Sequence, residues 1–221
     1  MDREYVCIDE IQDKRFDGMI VTGAPVENLD FEDVLYWDEM KRILSFTETN
    51  VTSTIYICWG AQAALYHFYG IQKKPLDKKL FGVFPQYYDH TKHEPLLKGM
   101  DDIFYMPHSR KAFVSRADID KQTELDTLAY FYTGEPSVIK SKDGKKIFIT
   151  GHIEYDRYTL RNEYIRDVNK GLPIDRPEHY FLDSGVDKVN MNWASAANLI
   201  YCNWLNYYVY QITPFDLEKK Q

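Results

Sequence analysis

Cys58 is the residue of this chain best placed to do chemistry. It stands between residues 51–57, an apolar β-branched run (Val-Thr-Ser-Thr-Ile-Tyr-Ile) that reads as a buried strand, and residues 61–69 (Ala-Gln-Ala-Ala-Leu-Tyr-His-Phe-Tyr), which read as a helix stopped by Gly70. A cysteine at such a junction sits on a tight turn with its sulfur near the positive end of a helix. The dipole and the free amides there favour thiolate over thiol. This is the layout of a nucleophile elbow with cysteine in place of serine. A lone cysteine is ordinarily a small buried hydrophobe; the change of element at this residue, with Gly60 two places on, weighs toward a nucleophile. Tyr56, two residues earlier, is bulky for an elbow, where small residues are usual.

A nucleophilic cysteine needs a base and a group to orient that base. Of the histidines at 67, 90, 93, 108, 152 and 179, His152 stands out because it follows the strand Lys146-Ile-Phe-Ile-Thr150 in the run Gly151-His-Ile-Glu-Tyr-Asp156. In an open parallel sheet the carboxyl ends of the strands share one edge, and ligands bind there. Cys58 and His152 both fall at such ends. Glu154 lies two residues further on, near enough to accept the second ring proton and fix the tautomer. A loop histidine is ordinarily a solvated bystander, and it is the shared sheet edge that singles this one out.

The elements that must position these groups begin as strand, loop, helix, strand, helix. Phe16 to Thr22 is a strand broken by Gly23-Ala-Pro25. Residues from roughly Glu32 to Thr49 carry Leu35, Trp37, Met40, Ile43 and Leu44 at helical spacing. This alternation predicts a parallel α/β sheet. The middle is less regular: 79–84, 103–107, 113–114, 127–132 and 137–140 read as short strands, and Asp143-Gly144 marks a hairpin turn into 146–150. Residues 157–169 read as a helix, 172–190 as a long loop, and 193–210 as one apolar-rich C-terminal helix appended to a single domain spanning 1–221.

Composition narrows the function class. The 221 residues suffice for one domain with a substantial core. A net charge of -7 disfavours a nucleic-acid partner. No apolar run approaches the roughly 20 residues of a membrane helix, and the first residues have no apolar signal core. Three cysteines (Cys7, Cys58, Cys202) fit a reducing cytoplasm better than a disulfide framework. Without a Cys-x-x-Cys pair or a His-Glu-x-x-His run, a metal site has no support.

Five segments then resemble one family. Gly23-Ala-Pro-Val-Glu27, Ile57-Cys-Trp-Gly-Ala-Gln-Ala63, Met106-Pro-His-Ser-Arg110, Gly151-His-Ile-Glu-Tyr-Asp156 and Asn203-Trp-Leu-Asn-Tyr-Tyr-Val-Tyr-Gln211 are similar to the MetA homoserine O-acyltransferases, and the resemblance runs from about Phe16 to Asp216. It implies a three-layer α/β fold of the class I glutamine amidotransferase-like (flavodoxin-like) kind with a mostly parallel sheet. It implies that Cys58 accepts an acyl group from acyl-CoA, that His152 is the general base and that Glu154 orients it. The amides of Trp59 and of the Gly23-Ala24 turn would hold the oxyanion. Arg166 matches the clamp for the homoserine carboxylate, as suits a guanidinium; Ser109 and Lys79 match other substrate-contacting positions. Lys79 in a Lys-Lys pair and Arg166 on a helix surface also read as ordinary solvated charges.

Glu27 bears on the acyl donor. The family is similar there in having glutamate in acetyl-CoA-using members and glycine in succinyl-CoA-using ones. A carboxylate fills the space of a succinyl tail and repels its terminal charge. The expectation is a cytoplasmic homoserine O-acetyltransferase of methionine biosynthesis, with L-homoserine and acetyl-CoA as substrates, no other cofactor, and no nucleic-acid or membrane partner. O-succinyltransfer is the alternative within the family. The apolar tail fits a homodimer interface and intramolecular packing equally well. Family members ordinarily carry a further segment ahead of the position of Met1, with early strands of the sheet. The chain therefore reads as N-terminally truncated, with a bare sheet edge, and an inactive remnant is the reading from a different class.

Overall fold

The computed structural model describes residues 5–214, and in them the opening alternation of strand and helix holds. The elements are β1 (Phe16–Val21), α1 (Trp37–Asn50), β2 (Val51–Ile57), α2 (Trp59–Tyr69), β3 (Lys73–Tyr88), β4 (Ile103–Val114), α3 (Arg116–Ile119), β5 (Leu125–Phe131), β6 (Pro136–Ser141), β7 (Lys146–Ile149), α4 (Thr159–Asn169) and α5 (Ala194–Trp204). Seven strands form one sheet in the order β1-β2-β7-β6-β5-β3-β4. β1, β2 and β7 run parallel, which brings the ends of β2 and β7 to one edge as the sequence suggests. Beyond β7 the pairings are antiparallel. The sheet is thus mixed, because hairpin connections such as the Asp143-Gly144 turn reverse the chain where a parallel sheet needs a crossover. Gly144, with φ 75°, supplies the positive dihedral that turn requires.

The pieces expected at 79–84, 103–107 and 113–114 are parts of two long strands. β3 and β4 pair antiparallel from Lys73↔Val114 to Tyr87↔Ile103, with a register irregularity between Pro75 and Leu80. The charged stretch Lys73–Lys79 hides this strand from a hydrophobicity pattern because it is largely exposed, and Pro75 interrupts the ladder where it cannot donate.

Side chains of the parallel strands alternate between two cores, giving three layers. Ile55, Ile57, Ile147 and Ile149 face one side, where α5 covers them. Tyr56 and Phe148 face the other, beneath α1 and α2. The bulk of Tyr56 is therefore no obstacle to an elbow. Its ring stacks on Phe148 at 5.3 Å and its hydroxyl pairs with Thr47 Oγ1 at 2.5 Å, away from the site.

The C-terminal helix expected as an appendage contributes to the core. Trp204 is buried and donates through Nε1 to Ser53 Oγ at 2.9 Å, and Tyr208 and Val209 join the same cluster. Past Trp204 the helix continues as a π-helical stretch over Leu205–Tyr210. At the outer edge, β1 pairs with β2, and Trp204 and Val209 pack over Gly18.

Gly60 is where α2 crosses the end of β1. A Cβ there would lie 2.8 Å from the carbonyl oxygens of both Val21 and Thr22. Backbone atoms cannot step aside as a flexible side chain can. Gly60→Ala is therefore expected to lower stability by about 1–3 kcal/mol, as overpacking does, read as a reduced urea midpoint; an unchanged midpoint would show that the helix can shift freely.

Candidate active site

Cys58 has φ 53° and ψ -117°, a backbone conformation that a non-glycine residue rarely adopts. It is held there from both sides: its N–H donates to Ile149 O at 2.8 Å on β7, and its carbonyl accepts from Gln62 N at 3.1 Å in the first turn of α2. Such strain costs on the order of 1–3 kcal/mol and persists only where the surroundings over-determine it. The dihedrals turn the chain from strand to helix in one residue and leave Trp59 N at the helix start. Gly23 packs against this turn: a Cβ on it would meet Cys58 Cβ at 3.2 Å and Trp59 N at 3.3 Å. The Gly23-Ala24 turn and the Trp59 amide are thus neighbours, as two oxyanion donors must be.

His152 enters from the loop after β7. Its backbone N–H donates to Pro107 O at 2.8 Å, pinning that loop to β4. Gly151 allows the approach, since a Cβ there would lie 2.3 Å from Met106 Sδ and 2.8 Å from Pro107 O. The imidazole is buried, and its Nδ1 sits 2.7 Å from Glu154 Oε1. Nε2 is buried and has no hydrogen-bond partner among the described residues, and the Cys58 sulfur acts on the ring. Burial by itself would lower the imidazole pKa. The Cys58 sulfur and the Glu154 carboxylate outweigh it and raise the ring to about 10. Cys58, far along the chain from His152 and Glu154, is therefore brought beside that hydrogen-bonded pair.

The other predicted positions fall around a second carboxylate. Ser109 Oγ donates to Glu163 Oε2 at 2.6 Å, and Lys79 Nζ lies 3.8 Å from the same oxygen and 4.5 Å above the Phe81 ring. Arg166, one turn along α4 from Glu163, donates from Nε to Asp167 Oδ1 at 2.7 Å. Among the described residues its terminal nitrogens make no hydrogen bond, and the side chain is half exposed. Glu27 lies on the loop leaving β1. Its backbone oxygen accepts from Lys73 Nζ at 2.6 Å, so the loop is tied to β3.

Three residues absent from the sequence reading belong here. Glu163 is the hub just described. Tyr155 stacks on His152, with ring centroids 4.1 Å apart. Arg110 is buried, donating from Nε to His108 Nδ1 at 3.3 Å and from Nη1 to Ala112 O at 2.6 Å. Burial lowers its pKa to about 10, opposed by the Cys58 sulfur and Glu135. It thus places a buried positive charge within electrostatic reach of the Cys58 sulfur. His108, buried beside Arg110 and His152, is held well below the usual histidine range, so it stays neutral. Both Tyr155 and Arg110 fall inside the quoted motifs, but only the fold shows that they face the site.

Comparison with known proteins shows the family and the fold. Residues 1–215 match the family described as homoserine O-succinyltransferase (HTS). The chain belongs to that family. It is 53% identical over 215 residues to a homoserine O-acetyltransferase of Shouchella clausii, spanning 97% of this chain and 69% of that protein. It is 51% identical over 219 residues to a homoserine O-acetyltransferase of Acetivibrio thermocellus, spanning 97% and 70%. A solved glutamine amidotransferase from Methylobacillus flagellatus superposes with a TM-score of 0.66 at 13% identity, over 93% of this chain and 80% of that one. That likeness bears out the class I glutamine amidotransferase-like fold. Among the described residues no helix is long and apolar enough to cross a membrane.

The raised pKa of His152 has a signed consequence. The folded ring holds its proton to about 10, whereas an unfolded histidine releases it near 6.5. The stability it contributes is full below about 6.5 and is lost as pH climbs toward 10. Removing the Glu154 charge weakens the proton's hold. In Glu154→Gln the His152 ring is expected to titrate at lower pH than in the wild type by NMR, and an unmoved midpoint would exclude Glu154 as its partner.

Proposed function

We propose that this chain is a homoserine O-acetyltransferase that moves an acetyl group from acetyl-CoA to the hydroxyl of L-homoserine through a thioester on Cys58. The observation that carries this reading is the strained turn at Cys58 facing the Glu154-held imidazole of His152, in a chain about half identical to proteins bearing that name.

In the first half-reaction the proton of the Cys58–His152 pair already lies on the imidazole, and the Cys58 sulfur attacks the acetyl-CoA carbonyl as the thiolate. The tetrahedral oxyanion lies against the Trp59 amide and the Gly23-Ala24 turn. On collapse the C–S bond to CoA breaks, and the departing CoA thiolate takes the proton from the imidazolium. In the second half, His152 takes the homoserine hydroxyl proton as that oxygen attacks the thioester. Breakdown of the intermediate expels the Cys58 thiolate, which restores the pair with the imidazolium. An amide donor to the oxyanion is worth on the order of 10²–10³ in rate. The free fork of Arg166 suits the α-carboxylate of the amino acid, while Ser109 and Lys79 line the approach from β3 and β4.

Glu27 is the basis for preferring acetyl. Its carboxylate, on the loop that follows the oxyanion turn, opposes a donor ending in a second carboxylate. The family description names a succinyl donor, so the donor is the finer point of this assignment. The enzyme would act in the cytoplasm as part of methionine biosynthesis, and a homodimer is compatible with it.

Incubation with acetyl-CoA is expected to add one acetyl group, seen by intact mass spectrometry and localised to Cys58. Cys58→Ala should abolish it, whereas serine at Cys7 and Cys202, both exposed, should leave it unchanged. Labelling that survives in Cys58→Ala would refute the thioester, and no labelling of the wild type would favour an inactive remnant. Succinyl-CoA should label more slowly than acetyl-CoA, and Glu27→Gly should shift that ratio toward succinyl; an unaltered ratio would remove Glu27 as the selector.

A further inference from the structure

His152 is gripped at two places that do different jobs. Glu154 holds its edge through one hydrogen bond at Nδ1. A single hydrogen bond fixes a point and leaves the ring free to rock about the line joining the two atoms. The second grip is over the ring face. Tyr155 lies with its plane 20° from that of the imidazole and its centroid 4.1 Å away. An aromatic stack at that distance opposes rocking, because any tilt closes the contact on one side and opens it on the other.

The tyrosine is itself anchored at both ends. Its hydroxyl donates to Glu163 Oε1 at 2.6 Å, and its backbone carbonyl accepts from the indole Nε1 of the buried Trp193 at 3.0 Å. Glu163 is fixed in turn by Ser109 Oγ on its second oxygen. A chain of contacts therefore runs from β4 through α4 to the face of the imidazole. We propose that Tyr155, braced by Glu163, is a positioning residue that holds the His152 ring in the orientation where Nε2 faces the Cys58 thiol.

The same arrangement favours a protonated ring. A phenol that donates to a carboxylate becomes richer in electrons, and a cation over an aromatic face is attracted to it. Burial and Glu163 push the Tyr155 hydroxyl pKa up, so it stays a neutral donor across the working range. The ionisable groups acting on the imidazole are Cys58 on the elbow, Glu154 and Tyr155 on its own loop, and His108 on β4. Behind Tyr155 stand Glu163 and Arg166 of α4, with Lys79 of β3 reaching Glu163.

The inference rests on His152 being the base for Cys58. Its test is chosen to be independent of acyl transfer: alkylation of Cys58 by iodoacetamide, followed between pH 5 and 10 by the mass of the Cys58 peptide, in the full chain and in Tyr155→Phe and Tyr155→Leu. Circular dichroism and melting curves check that each variant folds. Loss of the stack in Tyr155→Leu is expected to slow alkylation at pH 7 about tenfold, a modest share of what misplacing a reacting group costs, and to move the inflection to higher pH. Tyr155→Phe keeps the stack and loses the brace, so a slowing of about two- to threefold is expected, the scale of one weakened contact. A folded Tyr155→Leu protein with wild-type rate and inflection would overturn the proposal. Should that variant fail to fold, Tyr155→Phe decides, and a wild-type rate and inflection there would overturn the brace. A protein that alkylates as expected yet transfers no acetyl group would refute the proposed function while leaving the role of Tyr155 standing. Wild-type alkylation in His152→Asn would instead place the fault in the reading of His152.

Discussion

The turn at Cys58 is the constraint from which the rest of the site follows. A residue with a side chain is held at φ 53°, and the energy for this comes from three elements that would otherwise have no reason to meet. β7 accepts the Cys58 amide, α2 begins on its carbonyl, and the end of β1 presses against Gly60 and brings Gly23 to the Cys58 Cβ. Each contact is ordinary alone. Together they leave the backbone no other conformation, and the sulfur is delivered to the sheet edge with the Trp59 amide beside it.

Electrostatics inside that frame are set by burial. His152, Arg110 and His108 are all withdrawn from water within one small region, where charge interactions are less screened than at the surface. The result is a division of states. His108, between two potential cations, stays neutral, while His152, between the Cys58 sulfur and Glu154, is driven toward the charged form. Two imidazoles of the same intrinsic pKa are thereby assigned different tasks by their neighbours alone.

The antiparallel half of the sheet gives the site its walls. β4 pins the His152 loop through Pro107 and carries Ser109 and Arg110, while β3 carries Lys79 beside Leu80, the residue that pairs with Arg110. α4 brings Glu163 to Ser109 and Tyr155, with Arg166 one turn further on. The parallel half thus leads into Cys58 and His152, and the antiparallel half with α4 carries the side chains around them. That separation fits a fold shared, at 13% identity, with a glutamine amidotransferase, since function resides in sites grafted on folds.

Much of this was legible in the residues. The β-branched run at 51–57, the Ala-rich helix and the glycines at 60 and 70 determined an elbow, because backbone preference and hydrophobic pattern act over a few residues and agree there. The motif around 151–156 determined the histidine and its carboxylate for the same local reason. What the sequence could not settle was everything carried by contacts distant along the chain. The length of β3 was hidden by its exposed lysines, the antiparallel half of the sheet depended on which strands met, and the C-terminal helix became part of the core through Trp204 and Ser53. Tyr155 and Glu163 read as an aromatic in a loop and an acid on a helix; only tertiary structure, which brings α4 and β4 together at the Tyr155 hydroxyl, decided that Tyr155 stacks on His152 and that Glu163 holds it there. Local pattern fixes which residues are able to react, whereas packing between remote segments decides which of them touch.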